Sequence, residues 1–88
     1  MSYIRKEDRD VLNESIGDLE NRIYTEGELN YSIYKLCLAY MKRNNKNYST
    51  LNAIHGVLNC VNQEFYRKIT VPYENKKIKE NGDIREWK

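Results

Sequence analysis

A single proline and four glycines in 88 residues leave few forced breaks in the backbone. Histidine is equally scarce, with only His55, and there are two cysteines, Cys37 and Cys60. Both cysteines sit inside apolar helical patterns, where free cysteine behaves as a small hydrophobe. They do not form a secreted disulfide framework, so a reducing cytoplasm is the expected compartment, the host's if the chain is phage-encoded. His55 precedes Cys60 by five positions, which puts the two on different helix faces. A zinc site takes three or four ligands, so no metal and no other cofactor is expected. The longest apolar run, Leu36 to Met41, is six residues, far below the about twenty that a membrane span requires. The N-terminus is charged where a signal peptide would be apolar.

Catalytic signatures are missing as well. There is no nucleophile elbow, no phosphate-cradling glycine loop and no zinc-protease helix. With one histidine, acid–base chemistry would fall to carboxylates, lysines or tyrosines. His55 lies beside an apolar stripe and reads as a helix histidine rather than a base. The expected function is therefore binding, not catalysis.

Three segments repeat apolar residues at helical spacing. Leu12, Ile16, Leu19 and Ile23 form the first stripe, with Glu7, Asp8 and Asp10 near its start, where acids suit the helix dipole. Gly17 weakens this helix by about 1 kcal/mol relative to alanine, and Gly27 is the expected stop. Leu29, Ile33, Leu36, Cys37 and Tyr40 form the second, with Lys42, Arg43 and Lys46 at its end. Asn44 to Asn47 reads as a loop. Leu51, Ile54, Leu58, Val61 and Phe65 form the third, with Ser49 as its N-cap and Gly56 marking the approach of another helix. Pro72 then either kinks this helix or opens a short fourth one, and a kinked or broken continuation through Tyr73 to Glu80 is the favoured form. Asn81-Gly82 stops it.

The expected fold is all-α: a small antiparallel three-helix bundle over residues 1–83, with a Pro-kinked C-terminal helical extension and a tail at 84–88. The stripes are narrow, as in coiled coils, and the extension has only Tyr73 and Ile78 to bury. A domain this small is marginal alone, so a homo-oligomer is expected.

Charge is unevenly spread. Residues 1–30 carry a net −4 and residues 31–88 a net +6. Attraction between helix faces explains this, and so does a basic surface facing an anionic ligand. Tyrosine is abundant, with eight against one phenylalanine. Tyr31, Tyr34, Tyr66 and Tyr73 lie off the stripes or beside the proline. Arg67 and Lys68 follow Tyr66, and Lys76 and Lys77 lie one turn past Tyr73. Rings beside cations suit a nucleotide, one for the base and one for the phosphate. They equally suit a protein interface. The candidate ligand-binding residues are Asn30, Tyr31, Tyr34, Arg67, Tyr73, Lys76, Lys77, Asn81 and Asp83.

Several stretches carry a resemblance. They are Gly27-Glu28-Leu29-Asn30-Tyr31, Gly56-Val57-Leu58-Asn59-Cys60 leading to Phe65-Tyr66-Arg67-Lys68, and Pro72 to Ile78 with Glu80-Asn81-Gly82-Asp83. With Tyr3-Ile4 and Glu7-Asp8-Arg9, they resemble a family of small phage and prokaryotic proteins without an assigned activity. The tail from Arg85 to Lys88 departs from that pattern. A phage setting implies action by occupancy, and by size and helical character the chain is similar to the oligomeric sponges that sequester cyclic nucleotide or cyclic ADP-ribose immune signals. This analogy implies a nucleotide-derived ligand held between protomers. The rival reading is an adaptor or inhibitor that binds a host or phage protein, with the exposed tyrosines and Trp87 as contacts. A nucleic-acid-binding regulator is the third, although a pI near 8.5 lies below the usual value of about 9.

Overall fold

In the computed structural model, residues 4–84 are described, and all regular structure among them is helical. The elements are α1 (Lys6–Glu20), α2 (Glu26–Asn44), α3 (Tyr48–Phe65), a π-helical turn (Tyr66–Thr70) and α4 (Val71–Asn81). The all-α fold is as expected, with the last helix joined and extended. Trp87, Tyr3 and the tail from Arg85 to Lys88 lie outside the described residues. The chain forms two compact units, one ending at Leu51 and the other beginning at Asn52.

In the first unit, α1 starts with acids Glu7 and Asp8 in its first turn, aided by exposed i,i+3 and i,i+4 pairs Arg5–Asp8 (3.5 Å) and Lys6–Asp10 (3.4 Å). It ends at Glu20, with the Arg22 N–H donating to the Leu19 carbonyl. Gly27 is therefore not its stop, and Ile23 stands in the connecting turn. The reason is a capping box. Thr25 Oγ1 accepts from the Glu28 N–H at 3.1 Å, and Glu28 Oε1 accepts from the Thr25 and Tyr24 N–H groups at 2.9 Å each. These reciprocal bonds satisfy donors that a new helix leaves open, so α2 begins before Gly27, which becomes one of its first residues.

The next connection is set by asparagines. Asn45 turns the chain with φ 74°, and Asn47 Oδ1 accepts from the Thr50 N–H at 2.9 Å. Asn47, not Ser49, is the N-cap of α3, two positions earlier than its sequence suggests. Thr50 Oγ1 also donates to the Asn44 carbonyl at 3.1 Å. These two bonds account for its burial to 7% exposure, deeper than any apolar residue described.

The second unit is one helical run from Asn52 to Asn81. Pro72 has no N–H and its ring crowds the carbonyl four residues back. The helix absorbs this by widening, and the Val71 N–H reaches back five residues to the Tyr66 carbonyl. Pro72 then falls in the first turn of α4, where a missing donor costs least. Tyr66 Oη donates to Glu74 Oε1 at 3.3 Å, bridging the irregular turn. Gly82, at φ 86°, closes the run, its N–H bonded to the Ile78 carbonyl at 2.7 Å.

Two turns of α-helix hold about seven residues, and one π-turn adds about one more. Val61 and Ile69, and likewise Phe65 and Tyr73, are eight positions apart and so share a face. The π-turn keeps the apolar stripe in phase past the proline.

No apolar side chain is buried among the described residues. Nothing lies within 4 Å of a Cβ added at Gly56. Gly56→Ala should therefore raise stability by about 0.5–1 kcal/mol through helix propensity alone. A lower melting temperature for this variant would place another backbone against that position.

Candidate functional site

The start of α2 gathers three of the nine candidate residues. Asn30, Tyr31 and Tyr34 occupy i, i+1 and i+4 on that helix, and together with Glu26 and Gly27 they line an open cleft of about 330 Å³. On its other side Tyr31 borders a second cleft of about 390 Å³, shared with Leu19, Arg22, Ile23, Thr25, Gly27, Glu28 and Ser32. Tyr31 thus borders both hollows.

Arg22 is the cation of this neighbourhood, and sequence reasoning missed it. It comes from the turn after α1, 4.0 Å from Asp18 across an exposed i,i+4 pair. The signal for it was Thr25-x-x-Glu28, which places the turn, and hence Arg22, against the first turns of α2. The capping box fixes this corner electrostatically as well. Backbone donors at Tyr24 and Thr25, then the Thr25 hydroxyl, hold the Glu28 carboxyl below the usual carboxylate range. A depressed carboxyl stabilises the fold above its unfolded-state pKa and loses that contribution as pH falls through the folded value. Acidification should therefore loosen the start of α2. Thr25→Ala should cost about 1 kcal/mol, read from the urea midpoint at neutral pH. An unchanged midpoint would mean that the box does not hold the corner.

The other six candidates belong to the second unit. Arg67 lies in the π-turn with its guanidinium 3.9 Å from Glu64. In α4 the Lys77 ammonium stands 5.6 Å from the Tyr73 ring centroid, within cation–π range, and 3.6 Å from Glu80. Lys76 is its exposed neighbour. Asn81 is the last residue of α4, and Asp83 Oδ1 accepts from the Ile84 N–H at 2.7 Å. Arg67 and Lys77 are ten positions apart, about 15 Å along the axis. They do not meet one phosphate on a single chain. Tyr73 and Lys77 do form a ring–cation pair.

Among the described residues no group of side chains is arranged to hold a metal, and no helix is long and apolar enough to cross a membrane. A family model described as a domain of unknown function (DUF6899) matches residues 1–84. No curated protein and no solved structure matches the chain.

Proposed function

The chain belongs to the DUF6899 family of unknown function, and on that footing we propose that it is a non-catalytic, phage-type small-molecule binding protein. It sequesters a nucleotide-derived immune signal, of the cyclic nucleotide or cyclic ADP-ribose type, between protomers. The observation that carries this reading is the position of Tyr31. Tyr31 borders two clefts, one with Asn30 and Glu26, the other with Arg22. A ring to stack on a base, acceptors and donors for base or ribose edges, and a fork for phosphate are the three contacts that a nucleotide needs. Tyr34 adds a second ring. Both clefts are open, so a ligand seated in either keeps a free side for a second protomer to cover. In the second unit, taken by itself, the Tyr73–Lys77 ring–cation pair is a further candidate contact, and Arg67, Lys76, Asn81 and Asp83 are the other candidates there.

Calorimetry against a panel of cyclic dinucleotides and cyclic ADP-ribose isomers tests this. Saturable binding to at least one is expected, and silence across the panel removes the reading.

The exposure of Phe65, Tyr66, Ile69 and Tyr73 along one rod favours a second reading, an adaptor or inhibitor that binds a protein. Recovery of one stoichiometric host protein, with no response to the panel, would select it.

A further inference from the structure

The end of α4 carries a reactive pair. The chain has eleven asparagines, and only Asn81 is followed by glycine. An asparagine side chain and the next backbone nitrogen can close into a cyclic imide, and a side chain on the following residue obstructs that closure. Glycine has no Cβ to do so. Asn81 is exposed and is the last residue of α4. Elsewhere, asparagine side chains are committed to helix ends. Asn44 Nδ2 donates to the Tyr40 carbonyl at 2.9 Å, and Asn47 Oδ1 accepts from the Thr50 N–H at 2.9 Å.

One backbone bond holds the pair in check. The Gly82 N–H donates to the Ile78 carbonyl at 2.7 Å, the last i,i+4 bond of the run. That bond engages the proton that imide formation must remove, and it keeps the nitrogen directed at Ile78. Gly82 then leaves the helix at φ 86°, a region that glycine enters at no steric cost. Terminal turns open at free energies near zero, so the nitrogen is released repeatedly while the rest of the run stays folded.

We propose that Asn81–Gly82 is a self-modification site, a slow and one-way deamidation gated by fraying of the last turn of α4. When the turn opens, Gly82 N gives its proton to solvent base and attacks Asn81 Cγ. The N–Cγ bond forms, the Cγ–Nδ2 bond breaks, and ammonia leaves with a proton taken from water. Water then opens the imide at one of its two carbonyls, leaving aspartate or isoaspartate. One water enters, one ammonia leaves, and nothing is oxidised or reduced. The product puts a carboxylate at the negative end of the helix dipole, where anions are unfavourable. It stands next to Glu80, whose carboxylate already lies 3.6 Å from the Lys77 ammonium. Modification therefore keeps the last turn open and lowers the formal net charge of +2 by one. The site does not depend on the ligand reading.

Peptide mapping by mass spectrometry, on the full-length protein kept warm at neutral pH, tests it. Asn81 should be the first of the asparagines to react, yielding aspartate and isoaspartate. In denaturant at the same pH its reaction should be faster by about threefold to a hundredfold, the range set by opening a terminal turn. Another asparagine reacting first would overturn the site. Equal rates in the folded and denatured chain would overturn the gate, and a folded chain slower than that range would mean a sealed helix end, which also overturns the proposal. Asn81→Gln, whose longer side chain closes the imide poorly, should remove the reaction and keep the helical spectrum. Asn81→Asp should speed hydrogen exchange of the Gly82 amide severalfold relative to Asn81→Gln. Equal exchange in the two would show that the new carboxylate does not open the turn and would overturn that consequence.

Discussion

On the proposal that the protein is a homo-oligomer whose copies pack on the face around Phe65, Phe65→Asp should yield separate chains that have lost most of their helical signal. The second unit is a single helical run, and helices in proteins owe most of their stability to packing of an amphipathic face. Phe65 is at the centre of that face and is exposed in the single chain. Once a second copy covers it, truncating such a ring costs about 3–5 kcal/mol, and placing a carboxylate in an apolar seam adds several more. A two-fold interface suffers the change twice. Net stabilities are about 5–15 kcal/mol, so the variant falls near or below zero. Size-exclusion mass and circular dichroism read the outcome. Asn59→Asp, off the stripe on the same helix, is the control and should keep the parent's mass and spectrum. If Phe65→Asp keeps them too, the face is not an interface.

Tyr31→Ala should reduce affinity for the best-binding member of the nucleotide panel by tenfold or more. Stacking of a base on an aromatic ring contributes about 1–3 kcal/mol, and each 1.4 kcal/mol is about tenfold in affinity. Tyr31 is exposed and touches no buried core, so helical content and melting should barely move. That separates a binding loss from a folding loss. Tyr48→Ala is the matched control, because Tyr48 belongs to the same unit, is 86% exposed and lines neither cleft. Equal effects of the two substitutions would remove Tyr31 from the site.

Helical spacing made the elements legible. The 3-and-4 rhythm of Leu51, Ile54, Leu58, Val61 and Phe65 placed α3, and Asn81-Gly82 placed the end of α4. The turns were harder to read, because their caps compete locally. Gly27 looked like a C-terminal stop only while Thr25 and Glu28 were not paired as a box. Ser49 looked like an N-cap only while Asn47, the residue that bonds the Thr50 N–H, was assigned to the loop. The π-turn was hidden behind Pro72, which suggested a kink or a fresh start. The eight-residue steps from Val61 to Ile69 and from Phe65 to Tyr73 were its trace.

The same split applies to the candidate site. Asn30, Tyr31 and Tyr34 come together because one helix spaces them, which a sequence shows directly. Arg22 joins them across a turn, and only the corrected boundary of α1 reveals it. Arg67 and Lys77, grouped by proximity in sequence, separate along the rod because a helix gains about 1.5 Å per residue.

The central claim is the proposal that copies of this chain pack together on apolar side chains that are exposed among the described residues. Sedimentation equilibrium of the purified full-length protein at micromolar concentration tests it most directly. The predicted result is a mass that is a whole multiple of 10.6 kDa, with a melting temperature that climbs as the protein is concentrated. A 10.6 kDa particle that melts cooperatively at the same temperature across a hundredfold dilution would contradict it.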